Sequence, residues 1–303
     1  MPPVQRKLLD WYDEAARDLP WRTTCDPYAV WVSEIMLQQT RVETVIPYYE
    51  RFLARFPTPQ SLAEANEDAV LSHWSGLGYY RRARLLHAGA REVVARYGGE
   101  VPEDPEARRA LPGIGRYTAG AIGSIAFDKP EPIVDGNVTR VLARLLRIDT
   151  PVGATVTTKR LWEEAARLVP NERPGDFNQA LMELGATVCT PRQPRCNACP
   201  LQQECGAYAH DEIDALPVPK PKKPPTKLRL SAVVATSGRG AKKRVWLVKS
   251  NEALFGGLWG LPMIEGEPRN ALREAGVQGT LRKEPVGEVE HVLTHRRLTV
   301  TVY

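Results

Sequence analysis

The sequence predicts a chain in two parts: a mostly α unit over residues 1–213 and a shorter α+β unit over residues 231–303, joined by a linker at 214–230. Three observations lead there. Up to about residue 210, apolar residues recur at three- and four-residue steps, as in Leu8, Trp11, Tyr12 and Ala15 or Leu71, Trp74 and Leu77, the period of an amphipathic helix. Between Leu216 and Leu230 the text becomes LPVPKPKKPPTKLRL, whose five prolines oppose helix and whose lysines favour solvent. Beyond it the period changes to alternation in LRLSAVVATS, RVWLVKS and RRLTVTVY, the signature of strands.

Within the first unit, Pro57 and Pro59, Gly76 and Gly78, Gly98 and Gly99, Pro112 to Gly115 and Gly175 interrupt the helical text, which implies many short helices with tight connections. In the second unit the segment NALREAG reads as a short helix. The final strand places Leu298, Val300 and Val302 on one face and stops at Tyr303, so this unit reads as incomplete, with an uncovered face and an unpaired edge.

The 43% hydrophobic and 25% charged residues are those of a globular protein. A net charge of +5 permits a polyanionic partner without requiring one. No apolar run approaches the ~20 residues that cross a bilayer, and the charged, amphipathic start MPPVQRKLLDWYDEAARDL has no secretory core. The expectation is a cytoplasmic monomer with no membrane partner. Four of the five cysteines fall in one short stretch and Cys25 stands alone, a poor disulfide framework but a good metal site.

Those four, Cys189, Cys196, Cys199 and Cys205, have Pro194 and Pro200 between them to shape the turns. Sulfur ligation at this spacing suits either a structural zinc or a [4Fe–4S] cluster. The pattern resembles the cluster loop of the endonuclease III and MutY superfamily, and the resemblance implies the [4Fe–4S] cluster. It also implies that Arg192 and Arg195, between the first two ligands, face DNA phosphates.

The string ALPGIGRYTAGAIGSIAF reads as a helix end, a tight turn and a new helix near Arg116. Gly113 and Gly115 permit close backbone approach, and the free N–H groups of the following helix suit a phosphate. The core of the string, LPGIGRYTAG, resembles the helix-hairpin-helix motif of base-excision glycosylases.

Two carboxylates stand out. Asp135 precedes the apolar-periodic NVTRVLARLLRI, where it suits an N-cap whose N–H donors keep it ionised. Glu34, in YAVWVSEIMLQQTRVETV, is flanked by Trp31, Ile35, Met36 and Leu37, so burial is expected to raise its pKa and hold a proton near neutrality. That is the state a general acid needs.

The segments VSEIMLQQT and PIVDGNVTRVLAR closely resemble the MutY family of adenine DNA glycosylases, over roughly the first 210 residues. The resemblance implies a monofunctional enzyme that flips adenine out of double-stranded DNA, opposite 8-oxoguanine or guanine (A:8-oxoG or A:G), and cleaves its N-glycosidic bond. Glu34 would protonate adenine N7 and Asp135 would stabilise the sugar cation, a division of labour like that of two-carboxylate glycosidases. By the same resemblance Trp21, Arg22, Trp31 and Glu183 would line the adenine pocket and Asn137 would orient sugar or water. Gln39, Thr40, Leu77 and Tyr79 would meet the opposite base, with Arg81, Arg82 and Arg84 facing phosphates.

Three alternatives share parts of this text. Endonuclease III-like lyases carry an attacking lysine where this chain has Tyr117, which cannot form a Schiff base. A G:T mismatch thymine glycosylase uses the same scaffold, and a non-catalytic DNA-binding iron–sulfur protein would not need both Glu34 and Asp135. In the second unit, ALFGGLWGLPM and NALREAGV resemble the Nudix-like domain of the MutY family without a complete phosphohydrolase box, and the resemblance implies 8-oxoguanine recognition with Thr294 as a contact.

Overall fold

The computed structural model describes residues 3–220, 224–238, 240–250, 255–293 and 295–303. The chain divides into two compact units, Met1–Lys220 and Pro221–Tyr303. The first is helical: α1 (Pro3–Ala15), α2 (Pro27–Leu37), α3 (Val42–Arg55), α4 (Pro59–Ala63), α5 (Glu67–Trp74), α6 (Arg81–Tyr97), α7 (Pro105–Ala110), α8 (Arg116–Phe127), α9 (Gly136–Leu145), α10 (Thr155–Leu168), α11 (Pro174–Thr187) and α12 (Gly206–Ala209).

Two hydrophobic cores build this unit. One gathers Trp31, Met36, Phe52 and Trp74 from α2, α3 and α5 and Phe56 just after α3, with Leu86 of α6. The other gathers Leu8, Val141, Leu142, Leu161, Phe177 and Leu181 from α1, α9, α10 and α11. Helix α8 serves both, giving Ala119 and Ile122 to the first and Ala121 to the second. A helix shared in this way must be apolar on opposite faces, which explains the run AGAIGSIAF. Helix α2 is buried from Tyr28 to Met36 on every side, for the same reason.

The turn between α7 and α8 depends on Gly113. Its φ is +80°, and a Cβ there would stand 2.7 Å from Leu85 Cβ, so both backbone sign and space exclude a side chain. Arg108 of α7 is fully buried beneath the hairpin. Its guanidinium donates to Ala119 O (3.1 Å), Glu103 O (2.7 Å) and the Glu131 carboxylate (2.5 Å), binding the hairpin to the segment that leaves α8.

The 214–230 stretch departs from the expected solvated linker. Arg144 Nε donates to Ile213 O (3.1 Å) and Leu216 O (2.9 Å), Val152 N donates to Val218 O (2.9 Å), and Leu216 is buried. Proline prevents helix but leaves carbonyl acceptors available, so a Pro-rich segment is held wherever donors meet it. At its other end Thr226 already begins a strand.

The second unit contains β1 (Thr226–Ala232), β2 (Thr236–Ser237), β3 (Arg244–Val245), β4 (Val248–Lys249), β5 (Trp259–Gly260), β6 (Met263–Ile264), α13 (Pro268–Glu274), β7 (Gly287–Val292) and β8 (Arg296–Val302). The main sheet runs β6-β1-β8-β7, and β2–β3 and β4–β5 form separate two-stranded ribbons. The expected open edge on the last strand is corrected here. Strand β8 pairs in parallel with β1, Leu228 opposite Leu298, and antiparallel with β7, Val289 opposite Val300. Its Leu298 is buried. Local text cannot reveal a parallel partner some seventy residues upstream, because the pairing is set by crossover rather than by a turn.

Arg108→Ala would strand several buried carbonyls and the Glu131 carboxylate together, a loss of about 3 kcal/mol or more. The thermal midpoint of the first unit is expected to fall by roughly 6–12 °C. A shift below about 2 °C would show that the hairpin does not depend on this side chain.

Candidate active site

Glu34 and Asp135 face the same cavity, of about 740 Å³, which Trp21, Arg22, Gln39, Thr40, Gly113, Gly115, Tyr117, Asn137 and Glu183 also line. Helix α2 and the α7–α8 turn form one wall, and α9 and α11 the other. The close approach of that second pair requires Gly185, where a Cβ would fall 2.6 Å from Asn137 Cβ.

Glu34 is 4% exposed, and its Oε2 has no hydrogen-bond partner among the described residues. Burial pushes its pKa from 4.5 up to about 7, the nearby Tyr117 hydroxyl pulls it down and the charge of Asp135 adds to the rise. The Tyr117 hydroxyl itself lies 3.1 Å from Met182 Sδ, and burial together with Glu34 and Asp135 raises its pKa well above the ordinary value.

Asp135 caps α9: its Oδ1 accepts from Val138 N (2.7 Å) and its Oδ2 from Asn137 Nδ2 (3.1 Å). The expected dominance of these donors is corrected. Burial raises the pKa above 3.8, while the N–H groups of Val138 and Asn137 and the Arg140 guanidinium oppose the rise. Arg140 Nη2 donates to Asn137 Oδ1 (2.8 Å), and its Nε donates to Cys189 O (2.7 Å). Asn137 is thus fixed on one side by Asp135 and on the other by the cysteine loop.

Across the cavity Glu183 is almost fully buried, and its oxygens accept from Arg17 Nε (2.6 Å), Arg17 Nη2 (2.9 Å) and Arg22 Nη2 (2.7 Å). The two arginines hold the Glu183 pKa below its ordinary value against the effect of burial. Arg17, Gln179 and Met182 line the cavity and were not singled out in the sequence. Arg17 becomes legible only once Glu183, 166 positions away, is seen to need a second cation.

Several expected site residues lie elsewhere. Trp31 is fully buried in the first core, packed behind Gly89, and does not line the cavity. On a helix buried on every side the largest ring goes to the deepest position. Leu77 is also a core residue, whereas Tyr79 is half exposed with a φ of +49°. Arg82 does not face phosphates. It is buried and donates to Ile35 O (2.9 Å), Met36 O (2.8 Å), Gln38 O (2.5 Å), Thr40 Oγ1 (3.1 Å) and Leu77 O (3.3 Å). The carbonyls that end α2 need such donors, and one guanidinium supplies them. Arg84 pairs with Glu67 at 3.2 Å, and Arg81 is exposed. Thr294 lies outside the described residues.

The four clustered cysteines are partly buried, and Cys189, Cys199 and Cys205 pack against the second core. Arg144 Nη1 stands 3.4 Å from Cys189 Sγ. Burial raises the pKa of Cys196, Cys199 (to about 11) and Cys205, with the other cysteines adding to each rise. Among the described residues no three His, Cys, Asp or Glu side chains gather closely enough to hold a single metal ion. Arg195 donates to Thr187 O at 2.8 Å, and Arg192 is exposed. No helix among the described residues is long and apolar enough to cross a membrane.

The proton on Glu34 has a consequence for stability. Its folded pKa of about 7 lies above the ordinary 4.5, so the native state binds this proton more tightly than the unfolded chain. The resulting stability is intact below about pH 4.5 and is lost as the pH rises through about 7. Glu34→Gln, which carries no such charge, is expected to exceed the parent in stability at about pH 8 by roughly 3 kcal/mol, with the gap closing near about pH 4.5. A gap in thermal midpoint that does not change between those pH values would contradict a buried, proton-holding Glu34.

Residues 32–167 match the family described as HhH-GPD superfamily base excision DNA repair protein. The chain is 41% identical to the adenine DNA glycosylase of Rattus norvegicus over 99% of its own length and 69% of that protein's. Among solved structures, a thermostable thymine-DNA glycosylase is 32% identical with a TM-score of 0.61, over 68% of this chain and 95% of that one. An endonuclease III–DNA covalent intermediate shares the fold at 22% identity and a TM-score of 0.58, over 70% of this chain and 99% of that one. On this likeness, which spans nearly all of its length, the chain belongs to the adenine DNA glycosylase family.

Proposed function

We propose that this protein hydrolyses the N-glycosidic bond of adenine in DNA with Glu34 as general acid and Asp135 as the stabilising carboxylate. One observation carries the reading: a buried Glu34, its pKa raised to about 7, and Asp135, the cap of α9, share one cavity with no other carboxylate but the arginine-bound Glu183. Adenine leaves poorly as an anion, so bond cleavage needs a proton on N7. Glu34 holds one near neutrality and donates it as the C1′–N9 bond breaks, so that neutral adenine departs. The positive charge that develops on the sugar falls beside Asp135, whose ionised form the Val138 and Asn137 donors favour. Water then adds at C1′, and the Glu34 carboxylate takes its proton, which restores the acid.

Trp21, with the Arg17–Glu183–Arg22 group, supplies a flat apolar face and fixed donors for a flipped purine. Tyr117 occupies the position where a lyase would need an amine, which supports hydrolysis that leaves an intact abasic site. Gln39, Thr40 and Tyr79 lie on two loops bound by Arg82, and we assign them to the opposite, 8-oxoguanine-bearing strand. The strand-rich unit we read as Nudix-like and lesion-sensing.

The cysteine loop fits a [4Fe–4S] cluster. Four partly buried thiols on one loop match the ligand number of such a cluster, and the Arg144 guanidinium stands beside Cys189 to offset charge there. Cys189, Cys196, Cys199 and Cys205 would hold it, and it would supply a cross-link that fixes the loop beneath α9.

Single-turnover assays on duplexes carrying A:8-oxoG, A:G, T:G and thymine glycol test the reading. Adenine release is expected from the first two, and Glu34→Gln should lose at least ~10²-fold. The parent rate should fall as pH rises through about 7, where Glu34 loses its proton. Thymine release, or near-parent activity of the variant, would overturn it. Anaerobically purified protein is expected to absorb near ~400 nm and to contain about four irons per chain. Stoichiometric zinc would refute the cluster.

A further inference from the structure

The positive charge of the chain is not in its helical unit. Residues 1–220 hold 26 Lys and Arg against 29 Asp and Glu, a net of −3, whereas residues 221–303 hold 15 against 7, a net of +8. From Ala215 to Asn251 there is no acidic residue and there are ten basic ones. A DNA-binding protein gains most of its sequence-independent affinity from cations that displace counterions at phosphates. Here the greater reserve of such cations is in the strand-rich unit.

Within it, the β2–β3 ribbon presents a compact group. Its strands pair Thr236 with Val245 and Ser237 with Arg244. Among the described residues of the connection, Gly238 has a φ of +81°, a Cβ there would meet Lys242 O at 2.4 Å, and Lys243 N donates to Gly240 O at 3.1 Å. Lys242, Lys243 and Arg244 follow one another at this turn, all exposed, and Trp246 just beyond is also half exposed.

We propose that the β2–β3 ribbon is a phosphate-binding element that grips the DNA backbone through Lys242, Lys243 and Arg244, without reading the bases. The proposal rests on DNA being the substrate. Its role differs from lesion recognition, because a backbone contact strengthens binding to every duplex alike.

The test uses the full-length, cluster-containing protein and a labelled, undamaged duplex of ~30 base pairs, with affinity followed by anisotropy from ~0.05 to ~0.3 M KCl. Lys242→Gln/Lys243→Gln/Arg244→Gln is expected to reduce the slope of log affinity against log salt by about 2 to 3 and to weaken binding at least ~10-fold near ~0.1 M salt. Binding to an A:8-oxoG duplex should weaken by the same factor, and the single-turnover rate at saturating protein should not change. Lys242→Arg/Lys243→Arg should keep the parent slope. Arg273→Gln/Arg282→Gln/Lys283→Gln removes equal charge from exposed positions elsewhere in the unit and should change the slope by less than about 1. An unchanged slope in the ribbon variant, an equal effect in the control, or a loss confined to the A:8-oxoG duplex would each overturn the proposal. Failure of the parent protein to bind any duplex would instead defeat the underlying assignment of DNA as substrate.

Discussion

Helix α8 belongs to two hydrophobic cores at once, and the cavity exists because of it. With Ala119 and Ile122 turned to one core and Ala121 to the other, the helix cannot rotate to favour either. Its N-terminal turn, from Gly115 to Thr118, is therefore held at the seam, and the space left there is lined by Glu34 from one core and Asp135 from the other. Two carboxylates 101 positions apart in sequence are brought to one site by the packing of these helices. The burial that stabilises the cores also makes ionisation of Glu34 costly, so structure and acid strength share one cause.

Buried and half-buried arginines are the second organising feature. Arg82, Arg108, Arg140 and Arg144 each direct a planar fork of donors at several carbonyls: at the end of α2, beneath the hairpin, between α9 and α11, and along the segment after α12. Many of these acceptors lie in the last turn of a helix or where the chain leaves regular structure, and a carbonyl there needs a donor from elsewhere. This use of arginine explains why the arginines of the helical unit are a poor guide to phosphate contact. Many of them are engaged with the protein itself, whereas Lys242, Lys243 and Arg244 of the strand-rich unit are exposed.

The same contrast accounts for what was legible. Local chemistry identified Asp135 as a cap, Glu34 as a carboxylate in apolar surroundings and the turn at Gly113, since capping, flanking side chains and glycine turn preference are all read within a few residues. It also gave the helical character of the first unit and the alternation of β1 and β8. Family resemblance extended this to Trp21, Arg22 and Glu183, which do line the cavity. Trp31, Leu77 and Arg82 were misplaced because a side chain's direction off a fully buried helix or a glycine-rich turn depends on what packs around it.

By itself, then, the sequence determined the helical periods, the caps and turns, the four clustered cysteines and the pair of carboxylates, because propensity, capping and ligand spacing act over a few residues. Tertiary structure alone decided that Arg17 joins Arg22 on Glu183, that Arg82 ties two loops to the end of α2, and that β8 lies between β1 and β7 rather than at an open edge. Those outcomes are competitions among distant donors, acceptors and apolar faces for the same buried space, and no local pattern records which of them prevails.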